Sequence, residues 1–202
     1  MRERLLAGRW SASEPILIEE VKSEFGVSKQ PVMDAIRRLS AAGLLEVIPQ
    51  VGCRVPSYPP NEAADFFRLF AAAESEVTSI AASRATQFEL DRLIAINRRI
   101  GESLDDSPDH RATVYMTLNR EFHGTIQDMC RSPILGRTSS QMWDMCDLLI
   151  MTAGRGNPIA GEVRDRYVEH ERIIDALRDR DEAAARLEMH AHIIRNVPML
   201  AS

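Results

Sequence analysis

Phe25-Gly26-Val27-Ser28-Lys29-Gln30-Pro31-Val32-Met33-Asp34-Ala35-Ile36-Arg37-Arg38-Leu39 is the stretch on which the fold of the first sixty residues turns. Gly26 stops a short amphipathic run at residues 18–25. Ser28 is placed to cap a new helix, and Pro31 falls in its first turn, where a missing N–H costs little. Val32, Ile36 and Leu39 form the inward stripe of a helix that ends near Gly43. Two helices joined by a turn of three to four residues make a helix-turn-helix. Beyond it, residues 45–49 and 53–55 are strand candidates around Gln50-Val51-Gly52, a connection the length of a wing. The pattern predicts a winged helix-turn-helix.

C-terminal to this stretch lies Pro56-Ser57-Tyr58-Pro59-Pro60, where three prolines in five residues favour an extended joint. The expected organisation is a winged helix over 1–56, a linker at 57–60 and an all-helical domain over 61–202. In that last part apolar residues recur every three or four positions. Phe66, Phe70, Ala73, Val77 and Ile80 make one stripe; Leu90, Leu93, Ile94 and Ile100 a second; Val114, Leu118, Phe122, Ile126 and Met129 a third. Three more helices are expected at about 134–151 around Trp143, at 159–179 with Val163, Tyr167, Ile174 and Leu177, and at 181–197 with Leu187, Ala191 and Ile194. The fold class is therefore mainly α, with an antiparallel bundle of six helices after the winged helix.

Charge divides the 202 residues in the same place. Residues 1–60 hold 8 Lys+Arg against 7 Asp+Glu, and residues 61–202 hold 17 against 23. Only the first part suits a phosphate backbone. The exposed positions of its second helix include Lys29, Gln30, Met33, Arg37 and Arg38, with Arg54 on the second strand of the wing. Three cysteines at unrelated spacings, Cys53, Cys130 and Cys146, fit reduced thiols and a cytoplasmic location better than a disulfide framework. No apolar run approaches the roughly 20 residues that cross a bilayer.

The histidines carry the other chemistry. Asn119 and His123 are four apart, so both leave one face of a helix and could share an ion. His170 lies within the stripe of Val163, Tyr167, Ile174 and Leu177 and points inward. Its helix and the next meet near Asp179-Arg180-Asp181, so His192 or His190 would lie beside it, according to where the turn is centred. Two residues apart, those two cannot face one ion together. Neutral imidazoles bind metals, so occupancy is expected to fall as pH drops through the histidine range near 6.5.

Residues 25–32, continued by Ala35-Ile36-Arg37-Arg38-Leu39, Gly43-Leu44-Leu45 and Gly52-Cys53-Arg54-Val55, resemble the DNA-binding domain of GntR-family bacterial transcription regulators. Where that family usually has two arginines around the proline, this chain has Lys29 and Met33. Where an arginine commonly precedes the wing glycine, it has Val51. Lys29 can bind phosphate as a point charge but lacks the fork that reads guanine, and Met33 offers only apolar contact. Glu74, Val77, Ile80, Ala81, Ala82, Arg84, Ala85 and Thr86, with Asn119-Arg120-Glu121-Phe122-His123, His170 and His192, resemble the FCD ligand-binding domain of the FadR-like branch. Six helices suit its VanR-like subgroup. The resemblance implies His192 as the fourth ligand beside Asn119, His123 and His170, around a divalent ion such as zinc or nickel. It has asparagine where aspartate is usual, and Phe70 where an arginine that anchors carboxylates is usual.

Together these imply a homodimeric transcription regulator that binds double-stranded operator DNA and senses a small effector, an organic acid, over a metal. Two other classes compete. A relict module would dimerise and bind ligand without reading DNA, as Met33 and Val51 would allow. A metal-dependent enzyme would need a base at the ion, yet Glu121 is two residues from His123 and on the wrong face, so no catalytic role is expected.

Overall fold

The computed structural model describes residues 1–153 and 159–197. Its N-terminal part runs α1 (Arg2–Leu6), β1 (Pro15–Leu17), α2 (Ile18–Phe25), α3 (Lys29–Ala41), β2 (Glu46–Ile48) and β3 (Gly52–Arg54). β3 is the central strand and pairs antiparallel with both others, so that Ile16 and Val47 flank Cys53. α2, the left-handed Gly26 (φ 63°) and α3 form the expected helix-turn-helix. Ser28 stands at the N-cap, but its side chain makes no capping bond. Val32, Ile36 and Leu39 are buried, together with Val21, Leu44 and Leu45, in one small core. β2 is shorter than the expected 45–49, and β3 has the expected length but starts one residue earlier, at Gly52. β1 was not expected, because three residues are too few to show a period. Gly52 is obligatory: a Cβ there would lie 2.6 Å from the Ile16 carbonyl oxygen of β1.

Among the described residues six helices follow: α4 (Pro60–Arg84), α5 (Gln87–Glu102), α6 (Pro108–Met129), α7 (Pro133–Thr152), α8 (Val163–Arg178) and α9 (Glu182–Ile194). Pro60 opens α4 at its first position, where proline's fixed φ suits a helix. A capping box between Thr86 and Glu89 starts α5, and the Asp181 carboxylate accepts from the Ala183 and Ala184 amides to start α9. The most extensive helix contact is α4 against α9. Both helices bury small residues, Ala71, Ser75 and Ala82 on α4 and Ala185 on α9, which suit close approach.

Two inward stripes differ from expectation. Leu187 is 65% exposed, and α9 instead buries Ala185, Met189, His192 and Ile193. On α5, Ile94 is 38% exposed, while Ile96 and Asn97 turn inward. Size alone does not set the inward face: α9 turns in the small Ala185 and the polar His192, and α5 turns in the polar Asn97 beside Ile96. Pro158 and Pro198 lie outside the described residues. Among those described, no helix is long and apolar enough to cross a membrane.

The two parts are tied together. Leu148 of α7 is fully buried within the winged-helix core, and the Tyr58 hydroxyl donates to the Gly43 carbonyl at 2.8 Å.

Candidate metal centre and nucleic-acid interface

α6, α8 and α9 bring His123, His170 and His192 into the middle of the bundle, each no more than 2% exposed. One ring nitrogen from each lies within 4.8 Å of the others. The His123 and His192 Nε2 atoms are 3.2 Å apart. Two nitrogens bound at about 2.0–2.1 Å to one tetrahedral or octahedral ion stand about 2.9–3.4 Å apart, so this spacing suits a shared ion. Asn119, one turn before His123, is 7% exposed. His190 is exposed on the other side of α9, which leaves His192 as the inward member of that pair.

The donor atoms themselves fit an ion. Asn119 Oδ1 and His170 Nε2 are buried without a hydrogen-bond partner, as is His123 Nδ1. An unpaired buried acceptor is costly unless something binds it. Of the outward nitrogens, those of His192 and His170 are engaged, whereas His123 Nδ1 is not. His192 Nδ1 meets Glu169 Oε2 at 2.7 Å, and His170 Nδ1 meets Asn97 Oδ1 at 3.2 Å. Asn97 cannot flip freely, because its Nδ2 donates to the Tyr167 carbonyl at 3.2 Å. Protons held on Nδ1 leave both Nε2 lone pairs facing inward, the arrangement that metal-binding histidines use.

Stacking fixes the ring planes. Phe122 lies 4.0 Å from His170 at 9°, and Trp143 lies 4.0 Å from His123 at 30°. Trp143 is held in turn by its Nε1–H donating to Glu74 Oε2 at 2.9 Å, while the Ser139 hydroxyl donates to the other Glu74 oxygen.

Burial, reinforced by neighbouring positive charge, holds His123 and His170 well below the usual histidine pKa. It lowers His192 as well, against the opposing pull of Glu169. The imidazoles are thus neutral, as ligation requires, to lower pH than the ordinary histidine range. Burial alone would raise Glu169, but the His192 hydrogen bond and the charges of His192, Arg166 and Arg195 keep its carboxyl below the usual range. Arg166, 2% exposed, also donates to the His192 carbonyl at 2.8 Å and to Asn196 Oδ1 at 3.0 Å.

A narrow cavity adjoins the cluster, lined by Asn119 and His192 together with Tyr115, Trp143, Asp147 and Arg166. Burial pushes the Asp147 carboxyl up to about 7 despite Arg120 at 3.5 Å. Glu121 lies at the surface, 3.4 Å from Arg92 and 3.6 Å from Arg99. The carboxylate touching the cluster is Glu169, already bound to His192.

Asn97, Trp143, Arg166 and Glu169 were not anticipated as part of this centre. Two left a signal: Glu169 immediately precedes His170, and Arg166 stands one turn before it on the same face. Asn97 and Trp143 reach the centre only through the packing of α5 and α7.

On the winged helix, Lys29, Gln30, Arg37, Arg38 and Arg54 are exposed and Met33 is half-buried. Asp34 stands among them. Its carboxylate accepts from Gln30 Nε2 at 3.1 Å and pairs with Arg37 Nη1 at 3.2 Å, and Arg38 Nε reaches its carbonyl at 3.4 Å. Arg54 pairs across the wing with Glu46 at 2.6 Å. Val51, at the wing tip, is 53% exposed.

The comparisons with known proteins agree with this architecture. Residues 1–55 match the model of bacterial regulatory proteins of the gntR family, and residues 65–195 match the FCD domain. The HTH-type transcriptional repressor GlaR of Escherichia coli is 22% identical over 202 residues, covering 99% of this chain and 92% of its own length. The HTH-type transcriptional regulator YdhC of Bacillus subtilis is 21% identical over 197 residues, with 95% and 84% covered. Among solved structures, E. coli McbR/YncC aligns with a TM-score of 0.87 at 19% identity over 99% of this chain and 92% of that one. A GntR regulator from Rhodococcus sp. RHA1 aligns at 0.77 and 14% identity, covering 99% and 93%. The chain belongs to the GntR family of bacterial transcription regulators, in the FadR-like branch whose C-terminal part is an FCD domain.

Proposed function

We propose that this regulator senses a small organic acid over a divalent metal ion, zinc or nickel, held by Asn119, His123, His170 and His192, and that it binds operator DNA as a homodimer. The observation that carries the metal is the convergence of three buried imidazoles, with Asn119 Oδ1 and His170 Nε2 left unpaired beside them. Three nitrogens and one amide oxygen suit zinc or nickel and disfavour calcium. Bound there, the ion supplies Lewis acidity toward an anionic ligand. Because Asn119 brings no charge, the centre would keep its full double positive charge for the acid group. The cavity beside Asn119 and His192, at about 10 Å³ little larger than one water, would have to widen to admit that ligand. Leu69 and Leu187, each 65% exposed on the bundle, are apolar surface that a dimer contact could cover.

Lys29, Gln30, Met33, Arg37, Arg38 and Arg54 would make the DNA contacts, with the start of α3 entering a major groove. Titration of zinc and of nickel into protein stripped of metal, followed by calorimetry and by thermal melting, tests the centre. Saturable binding of one ion per chain with a raised melting temperature is expected. His170→Ala should remove both.

A further inference from the structure

Between the histidine cluster and the winged helix lies a second set of charges that ion binding does not use. Asp144 of α7 accepts from Arg2 of α1 through Nε at 2.7 Å and through Nη2, and also from Arg120 Nη2 of α6 at 2.5 Å. One carboxylate is thus shared between a guanidinium of the winged-helix part and a guanidinium of the bundle. Both bundle-side members stand next in sequence to the candidate centre. Arg120 follows Asn119, and Asp144 follows Trp143, whose ring stacks on His123. α7 also has two working faces: Trp143 and Asp147 line the cavity, while Leu148 is fully buried in the core of the winged helix.

We propose that α7, with Asp144 as its joint, carries the state of the metal and effector pocket to the winged helix. This rests on the metal reading above. An ion that draws Asn119 and His123 together fixes Arg120 and Trp143, the neighbours that set where Asp144 lies. Arg2 follows Asp144, because a two-pronged guanidinium pair is rigid in orientation. Leu148 makes the same helix part of the winged-helix core, and a packed core passes on a shift rather than absorbing it. The proline-rich joint is not the only route, since Tyr58 already pins it to Gly43. Such a device must show itself as a coupling between two sites, not as a chain of contacts alone.

Hydrogen–deuterium exchange on the full chain, metal-free and zinc-loaded, tests it with zinc alone as the probe. In the wild type, zinc should slow exchange in α6, α8 and α9 and also change it in α1 and α3, by about 5-fold or more at the most responsive amides. Arg2→Ala should keep the bundle's response and lose that of α1 and α3. Arg2→Lys, which retains the charge without the fork, should restore only part of it. Asp144→Asn should behave like Arg2→Ala; should it fail to fold, the half-exposed Arg2 carries the test by itself. An α1 and α3 response undiminished in Arg2→Ala, or none in the wild type, overturns the joint and leaves the metal centre standing. No zinc-dependent change anywhere removes the metal centre, and the joint with it.

Discussion

At Glu169 one buried carboxylate answers to three groups: His192 at 2.7 Å, Arg166 at 3.1 Å and Arg195 at 3.0 Å. Its task in the metal reading is to hold the His192 proton on Nδ1 and make Nε2 a better donor. Removing such a partner typically weakens a bound metal about 10–100-fold. Glu169→Gln, which can still accept the hydrogen bond, should lie near the lower end of that range in competition with a chromophoric chelator, while Asn119→Asp should tighten the ion by restoring a charged oxygen. Zinc affinity unchanged in Glu169→Gln would reduce Glu169 to a structural ion pair. Titration in the metal-free protein has two opposed parts. The three histidines have folded pKa values below 6.5, so the unfolded chain binds more protons there, and stability falls as pH drops below about 6.5. Asp147 is raised from 3.8 to about 7, so the folded chain binds the extra proton, and stability falls as pH rises between those values. Asp147→Asn should therefore make stability climb more steeply from pH 5 to 7, by up to about 1.4 kcal/mol per pH unit. Urea titrations in the presence of chelator read the slope; equal slopes for the two proteins would contradict the assigned direction.

At the scale of elements, α3 places its cations on the exposed side but sets Asp34 in their midst. In the proposed interface, DNA would have to displace that carboxylate before Gln30 and Arg37 were free. Asp34→Ala should strengthen binding to DNA from the vicinity of the gene, and Lys29→Ala should weaken it and lower the slope of log affinity against log salt by about 0.9. Gel shifts across a salt series read both, and weaker binding by Asp34→Ala would show that Asp34 orients the helix instead of screening it. In the wing, Gly52→Ala should cost about 1–3 kcal/mol in urea unfolding, because the added Cβ meets the Ile16 carbonyl; a cost near zero would mean that β1 gives way. Both positions also mark what the sequence could tell. α2, α3 and the six bundle helices were legible because eight or more residues expose a period, and Gly26 and the prolines mark several of their ends. β1 was not, since in Pro15–Leu17 only Ile16 points inward. Leu187 misleads because size does not set direction: α9 turns Ala185 inward and leaves Leu187 outside. The spacing of Asn119 and His123 was readable along a single helix. The engagement of His170 by Asn97, 73 positions away, depends on α5 lying against α8, which no local pattern encodes.

For the whole molecule, the two parts are joined at two levels: an extended joint pinned by Tyr58, and α7, which enters both cores. A regulator needs such a connection, because an effector changes DNA binding only when it favours one arrangement of the parts over another. The account depends most on the claim that the buried imidazoles hold an ion. Metal analysis of the full chain, purified without affinity resin or chelator and then exchanged into zinc of known concentration, measures this most directly when run beside His170→Ala. One zinc per chain in the wild type and none above background in the variant is the predicted result. No retained metal in the wild type, or equal retention in both proteins, would contradict it and leave the three histidines as ordinary members of the core.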